Sequence, residues 1–214
     1  DYLIDLSLTA FSSLSLLFFT KWNFEKSNNI KYAVLSGISL GLIFLTKPTG
    51  IILFFLPFTI IFIKKLKIKE NKFFEIIKIF FFFISFFLII FPWFSKHWLT
   101  IITSTINAWN WGINYQDGYN SFSLESWLFY LKSLPKVFGV INFTVFLIIF
   151  IFEKISQRNL FKISFKKIKK INFWFFTYIF NCFLILSLMS TKDIRFVMPI
   201  YPLICIYLSI FLNQ

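Results

Sequence analysis

Seven apolar runs, separated by short polar or lysine-rich stretches, constrain this chain more than any other feature. They cover roughly 3–20, 32–46, 50–63, 73–94, 137–152, 172–190 and 196–212. A helix of about 20 apolar residues crosses the hydrocarbon core of a bilayer and satisfies its own backbone groups there. With 58% hydrophobic residues in a chain of 214, a water-soluble domain has too little interior to bury its apolar surface. The sequence therefore predicts an all-α polytopic membrane protein of about seven spans, with one domain over 1–214.

Two of these runs, 50–63 and 137–152, are short for a span. Lysines at their ends (Lys64, Lys65 and Lys136) can lengthen them by extending their side chains to the interface. Alternatively, the second and third runs form one re-entrant hairpin that turns at "KPTG", 47–50.

The charges of the loops predict the orientation of the chain. Lysines and arginines follow the first, third and fifth runs, so the positive-inside rule places 64–72 and 153–170 in the cytoplasm. The opposite ends of the runs then face outward together. They are the N-terminal end with Asp5, the 47–50 turn, the stretch 95–135 and the "TKDIR" segment.

Several classes of protein and site are disfavoured by composition. The net charge of +13 lies in short loops between apolar runs, so a nucleic-acid partner is not expected. The two cysteines lie inside apolar runs and there is a single histidine, which predicts neither a disulfide framework nor a metal cluster. The chain begins at Asp1, and its first run lacks a basic flank and a cleavage site. We expect a piece of a longer protein rather than a signal peptide.

The outer stretch 95–135 combines aromatic and polar residues. Trp98, Ile102, Ile106 and Trp109 recur at helical spacing, and a second stripe from Leu124 to Leu131 has Ser123 as a predicted N-cap. Two interfacial helices, joined by the polar turn "NYQDGYN", would form a roof over the outer face. This pattern fits an aromatic belt, or aromatic plates that bind a sugar with polar neighbours. The polar candidates are His97, Asn110, Tyr115, Gln116, Asp117, Glu125 and Tyr130.

Charged residues mark the outer edge of three apolar runs. Asp5 begins the first run and is either a functional carboxylate or a favourable acid at a helix N-terminus. Lys47 precedes Pro48 and is either a binding residue or a lysine that reaches the interface.

Lys192, Asp193 and Arg195 precede the last run, which Pro199 and Pro202 distort. Two cations with an acid between them fit an anion site in which Asp193 orients a cation, because the guanidinium fork suits phosphate oxygens. The alternative is a charged cap on a kinked helix.

Four stretches in order carry a resemblance to a known family: "DYLIDLSLTAF", "LSGISLGLIFLTKPTGIILFFLP", "PWFSKHW" and "STKDIRFVMPIYP". The chain resembles the GT-C-fold glycosyltransferases. In particular, it is similar to the dolichyl-phosphate-mannose protein mannosyltransferase group of bacterial membranes, glycosyltransferase family 39/83. The patterns D-L-x-L-T-A and K-D-x-R-F-x-x-P-x-x-P carry most of this resemblance.

The resemblance implies which residues form the site. The general base belongs to a large outer loop before the first stretch, so we expect it upstream of Asp1 and expect the chain alone to be an incomplete catalyst. Asp5 matches a second acidic position and is the catalytic residue predicted within this chain, and Lys192, Asp193 and Arg195 match the late K-D-x-R stretch. With Lys47, His97, Trp109 and Tyr115 added from the residues themselves, these are the predicted site.

The resemblance also implies a reaction. An acceptor hydroxyl on a lipid, glycan or protein attacks the anomeric carbon of a polyprenyl-phosphate-linked sugar, with inversion, at the periplasmic face of a bacterial inner membrane. Membrane lipid and donor are the expected partners, and a divalent ion shared with the missing loop stays open. The alternatives are a transporter or flippase, whose charges would lie near mid-membrane in broken helices, and a structural membrane subunit.

Overall fold

The computed structural model describes residues 2–24, 29–67, 72–115, 123–139, 144–145, 147–148, 151, 165–189, 193–203 and 205. Its α-helices are α1 (Tyr2–Phe24), α2 (Lys31–Thr46), α3 (Phe55–Leu66), α4 (Lys72–Tyr115), α5 (Leu124–Phe138) and α6 (Phe165–Leu188). A first 3₁₀ helix covers Pro48–Phe54 and a second covers Ile194–Ile200. Every element in this part of the chain is helical, which confirms the all-α prediction.

Three helices among the described residues are long and apolar enough to cross a membrane: Ile4–Phe24, Pro48–Leu66 and Lys72–Asn107. Two shorter apolar helices, Lys31–Thr46 and Thr177–Leu188, accompany them. About half of each of the predicted runs 137–152 and 196–212 lies outside the described residues. The fold is therefore an all-α membrane bundle, and the count of seven spans stays a prediction.

Helix α4 differs from the prediction. The sequence predicted a span that ends near residue 94 and a separate interfacial helix after it. Instead, α4 runs unbroken from Lys72 to Tyr115, with Pro92 inside it. At 1.5 Å per residue this helix is about 66 Å long, more than twice a bilayer core. The proline removes one backbone hydrogen bond but does not end the helix.

Polar contacts define the two ends of the bundle. At one end, which we call the outer end because the loop charges predict that it faces away from the cytoplasm, Lys47 Nζ lies 3.7 Å from a carboxylate oxygen of Asp5, at the start of α1. At the other end, Lys64 Nζ donates to Asn23 Oδ1 at 2.9 Å, at the end of α1. The second and third runs therefore extend along the full length of α1, which is deeper than a shallow re-entrant hairpin.

The lysine-rich end is held by a buried ionic cluster. Lys65 Nζ and Lys78 Nζ lie 3.2 Å and 2.8 Å from the two carboxylate oxygens of Glu75. All three residues are buried, so Lys65 does not extend to the interface as predicted. Buried charges in a membrane protein require such partners, and this cluster joins the end of α3 to the start of α4.

Aromatic rings fill the core between α1, α3, α4 and α6. The Trp22 ring stacks on Phe82 at 5.5 Å between centroids, and the Phe58 ring also stacks on Phe82, at 5.1 Å. Phe54 contacts Tyr178 at 4.9 Å, which brings α6 against the first 3₁₀ helix. The many phenylalanines of the chain thus form interhelical packing as well as lipid-facing surface.

Helix α2 packs closely against α4 through two glycines spaced by four. A Cβ on Gly37 would lie 2.3 Å from the carbonyl oxygen of Phe82, and one on Gly41 would lie 2.9 Å from Ile89. Small residues at this spacing let two membrane helices approach backbone to backbone. The contact fixes the outer end of α2, and hence Lys47, relative to α4.

Candidate functional site at the outer end of the bundle

Asp5 and Lys47 meet at the outer end of α1 and α2. Asp5 is buried in the first turn of α1, where the helix dipole favours an acid. Lys47 follows the last residue of α2 with extended backbone, as expected for a residue before a proline, and its N–H bonds the carbonyl of Ile43. This geometry directs the ammonium group toward Asp5, 3.7 Å away.

The Lys47 ammonium also contacts the last apolar run of the chain. Its Nζ lies 4.3 Å from the centroid of the Phe196 ring, a cation–π contact. Phe196 lies in the second 3₁₀ helix, directly after Arg195. Phe196 was not among the site residues predicted from the sequence, because only the fold brings residue 47 and residue 196 together.

Asp193 and Arg195 form a fork at the start of the second 3₁₀ helix. Asp193 caps this helix by accepting a bond from the N–H of Arg195 at 2.9 Å. Its other carboxylate oxygen accepts from Arg195 Nε at 2.8 Å and from Nη2. The bonds from Arg195 lower the pKa of the Asp193 carboxyl, so Asp193 stays ionised and orients the guanidinium as predicted.

Asp5, Lys47, Asp193 and Arg195 together form what we call the outer charged cluster. Phe196 connects its two ion pairs, and the positive charge of Lys47 further lowers the pKa of the Asp193 carboxyl. In each pair the cation is more exposed than its carboxylate: 31% against 10% for Lys47 and Asp5, and 37% against 29% for Arg195 and Asp193. Each carboxylate is the more buried partner and positions its cation, and each cation is the partner more accessible to an incoming ligand.

Tyr130 supports the cluster from α5. Its side chain is fully buried, and its hydroxyl lies against the backbone of Asp193. Burial raises the pKa of this phenol, so Tyr130 remains neutral. Helix α5 begins with Ser123 as its N-cap, whose hydroxyl accepts from Ser126 N at 3.2 Å, which confirms the predicted cap.

The remaining predicted residues are His97, Trp109, Tyr115 and Lys192. His97 is exposed on α4, where its ring lies 5.3 Å from that of Trp93. Trp109 and Tyr115 lie in α4, but their side chains fall outside the described residues, and so does all of Lys192. Trp98 on the same helix is exposed, as are Ile102 and Ile106, and the roof over the outer face stays a prediction.

An apolar groove of about 330 Å³ lies between α5 and α6. Trp127 and Leu131 form one wall, and Phe180 and Phe183 are part of the other. Ser126 Oγ donates to the Ser187 carbonyl at 2.8 Å and joins the two helices beside it. The same helix α5 carries Tyr130, so the groove and the outer charged cluster both contact this helix.

The described residues offer little to a metal ion. Within them there is no group of three or more His, Cys, Asp or Glu side chains able to hold one. Both carboxylates of the outer charged cluster already contact a cation. The described part of the cluster therefore presents two organic cations, Lys47 and Arg195, to an incoming anion.

The sequence model described as the Alg9-like mannosyltransferase family matches residues 6–214. No curated protein and no solved structure matches the chain.

Proposed function

The chain belongs to the Alg9-like mannosyltransferase family, and we propose that its outer charged cluster binds the phosphate of the lipid-linked sugar donor. The protein is an integral membrane glycosyltransferase of the GT-C class. Enzymes of this family transfer mannose from dolichyl-phosphate-mannose to a lipid-linked glycan. The question for the structure is which residues receive the donor.

The resemblance found in the sequence reached the correct class and donor chemistry. Its finer assignment, to the protein mannosyltransferases of family 39/83, stays a prediction that the family match does not support. The expected bacterial inner membrane is likewise unsupported, since the Alg9-like family is typical of the eukaryotic endoplasmic reticulum. We propose only that the cluster faces away from the lysine-rich cytoplasmic loops, whichever membrane holds the protein.

The proposal rests mainly on one observation: two partly exposed cations lie in the same cluster at one end of the membrane bundle. Lys47 and Arg195 are far apart in the sequence. The ring of Phe196, the residue after Arg195, contacts the Lys47 ammonium. Guanidinium groups bind phosphate oxygens through a planar fork, and a lysine adds a compact positive charge. Each cation is held by a carboxylate that keeps it in place when no phosphate is bound.

These residues suit the chemistry of the leaving group. The acceptor oxygen forms a bond to the anomeric carbon of mannose, and the bond from that carbon to the phosphate oxygen breaks. The electron pair of the broken bond stays on the dolichyl phosphate, where Lys47 and Arg195 stabilise the growing negative charge. The hydroxyl proton passes to a carboxylate base, which we expect upstream of Asp1. Asp5 itself holds Lys47 in position.

The isoprenoid chain of the donor needs an apolar path beside its phosphate. The groove between α5 and α6 provides one, because Tyr130 on α5 reaches Asp193 while Trp127 and Leu131 on the same helix line the groove. A chain that enters the cluster from the membrane can therefore lie in this groove without leaving apolar surroundings.

The transporter alternative fits the described charges less well. It predicted charges near mid-membrane in broken helices. The ion pairs of the described residues lie instead at the two ends of the bundle, Asp5–Lys47 and Asp193–Arg195 at the outer end and the Glu75 cluster at the inner end. A cluster at one edge favours chemistry at the interface.

Binding of dolichyl phosphate to the full-length protein tests this proposal. Arg195→Ala and Lys47→Met should each weaken binding of the radiolabelled lipid by about tenfold or more, since each removes a charge-assisted contact. Lys132→Met, which removes an exposed lysine from α5, is the matched control and should bind normally. Equal binding by all four proteins would refute a phosphate site at this cluster.

The groove is tested by varying the length of the lipid. Phe180→Ala removes an exposed ring from the groove wall and should weaken binding of full-length dolichyl phosphate by about tenfold or less. Binding of a short-chain isoprenyl phosphate, which cannot fill the groove, should not change. The same loss for both lipids would place the chain elsewhere.

A further inference from the structure

The span that follows Lys47 begins as an irregular helix inside an apolar environment. The first 3₁₀ helix, Pro48–Phe54, passes into α3 at Phe55, and together they form one candidate span, Pro48–Leu66. Pro57 lies in the first turn of α3 and is buried. Because proline has no N–H, the carbonyl of Leu53, four residues earlier, lacks the donor that a regular α-helix would give it.

A side chain of α6 takes the place of that donor. Asn181 Nδ2 donates to the carbonyl of Leu53 at 2.7 Å and to the neighbouring carbonyl of Ile52 at 3.1 Å. Asn181 is 4% exposed and lies in the apolar sequence "YIFNCFLI". In lipid an unsatisfied backbone carbonyl is costly, so this interhelical bond anchors the distorted span to α6.

The other end of the same 3₁₀ helix lies at the outer charged cluster. Gly50 N donates to the Lys47 carbonyl at 2.8 Å, which ties the helix to Lys47 itself. A Cβ on Gly50 would lie 2.7 Å from Leu8, one turn after Asp5 on α1. The 3₁₀ helix is thus fixed against α1 at its start and against α6 at its end.

We propose that Asn181 is a positioning residue for Lys47. Asn181 binds the carbonyls of Ile52 and Leu53 and so fixes the position of the first 3₁₀ helix. In that position the Lys47 ammonium lies between the Asp5 carboxylate and the Phe196 ring. The part of this inference that concerns the donor rests on the proposed function. Asn181 acts through the backbone and does not touch the substrate.

The first readout needs no enzyme activity. In full-length protein without native cysteines, Thr49→Cys places a reporter thiol in the half-buried part of the 3₁₀ helix. Asn181→Leu keeps the size of the side chain and removes its donors, and it should raise the labelling rate of this thiol by about tenfold. Asn181→Asp, which keeps the shape and lacks the amide donors, is measured alongside. Leu184→Ala, on the face of α6 that lines the groove, controls for general loosening of the helix.

The second readout is mannose transfer. With Thr49 restored, Asn181→Leu should raise the KM for the donor by about tenfold with little change in kcat, because the phosphate site is displaced and the chemistry is not. In a Lys47→Met background the same substitution should add almost nothing, because the residue through which Asn181 acts is gone. A purely structural residue would lower yield and kcat together and would add its effect to that of Lys47→Met.

A second-site substitution checks the cause. Pro57→Ala restores the N–H that the Leu53 carbonyl lacks, so it should return the labelling rate and the donor KM of Asn181→Leu toward the parental values. If the labelling rate is unchanged in both Asn181 variants, the inference is overturned, regardless of the rate of mannose transfer. Faster labelling with an unchanged donor KM also overturns it. In that case, the donor KM of Lys47→Met decides the proposed function. A raised donor KM leaves the proposed function intact, and a normal donor KM refutes it as well.

Discussion

Removal of the partner of Lys47 tests whether the Asp5–Lys47 pair holds α2 against the start of α1. Asp5→Asn keeps the shape of the side chain, removes its charge, and leaves the ammonium with the Phe196 ring as its remaining described contact partner in the cluster. Lys47→Met is the complementary change and leaves a buried carboxylate without its cation. The double variant removes both charges.

The size of the effect follows from the distance and the exposure. Two unit charges 3.7 Å apart attract by about 4 kcal/mol at an effective dielectric constant of 20. The Lys47 side chain is 31% exposed, so solvent screens part of this attraction, and desolvation of Asp5 offsets another part. We therefore expect a coupling free energy of roughly 1–2 kcal/mol between the two residues.

The assay is unfolding of the four purified proteins in the same detergent. Lys47→Met should be the more destabilising single change, because Asp5 is the more buried partner, and the double variant should recover part of the loss. Lys132→Met should behave as the parent protein. Single effects that simply add, with a coupling below about 0.3 kcal/mol, would show that the pair does not hold the helices together.

Three further predictions concern topology, packing and pH. In a cysteine-free background, an impermeant thiol reagent should label a cysteine at Asn120 and not one at Asn71 on intact cells or right-side-out vesicles, and equal labelling would refute the orientation. Gly37→Ala should destabilise the protein by about 1–3 kcal/mol in detergent unfolding, because the new Cβ meets the Phe82 carbonyl, and a neutral result would contradict the close approach of α2 and α4. Because Arg195 lowers the pKa of the Asp193 carboxyl, the stability that this fork contributes should be complete above about pH 4 and be lost as the pH falls through the lowered pKa. Asp193→Asn should abolish that part of the pH dependence of Tm, and an unchanged profile would argue against the fork.

The outer charged cluster was largely predictable from two features of the sequence, the charges of the loops and the short spacing between Asp193 and Arg195. The alternation of lysine-rich loops placed Asp5, the 47–50 turn and the "TKDIR" segment on one face, and the structure brings Asp5, Lys47 and Arg195 into one cluster there. The fork of Asp193 and Arg195 involves residues two apart, so its geometry is already implied by the sequence. The Ser123 cap is local in the same way.

Contacts between distant residues could not be predicted from local patterns. Phe196 joins the cluster only because the second 3₁₀ helix meets the end of α2, and nothing in its immediate sequence marks it. Tyr130 was among the polar candidates of the outer stretch, but its contact with Asp193 arises only because α5 meets the second 3₁₀ helix. Asn181 resembles any polar residue in an apolar run until the carbonyl freed by Pro57 is seen beside it.

The two wrong predictions have physical reasons. The fourth span was expected to end near residue 94, before a separate interfacial helix, but α4 continues through Pro92 to Tyr115, because one lost hydrogen bond does not break a helix whose other backbone groups have no better partner in lipid. Lys65 was expected to reach the interface, but Glu75 offers a closer partner inside the bundle. In both cases the outcome depends on the surroundings of the residue in the folded protein, which the sequence of one apolar run does not reveal.

The rate of mannose transfer by Arg195→Ala in the full-length protein tests the central claim most directly. Loss of one donor to the developing charge of a leaving group costs roughly 3–4 kcal/mol of transition-state stabilisation, which is about two to three decades in rate. We predict that this variant inserts and folds normally while transfer falls by that factor, and that Arg195→Lys recovers only part of it, because the charge returns without the fork. A well-folded Arg195→Ala enzyme that transfers mannose at close to the parental rate would contradict the account and reduce the fork to a helix cap.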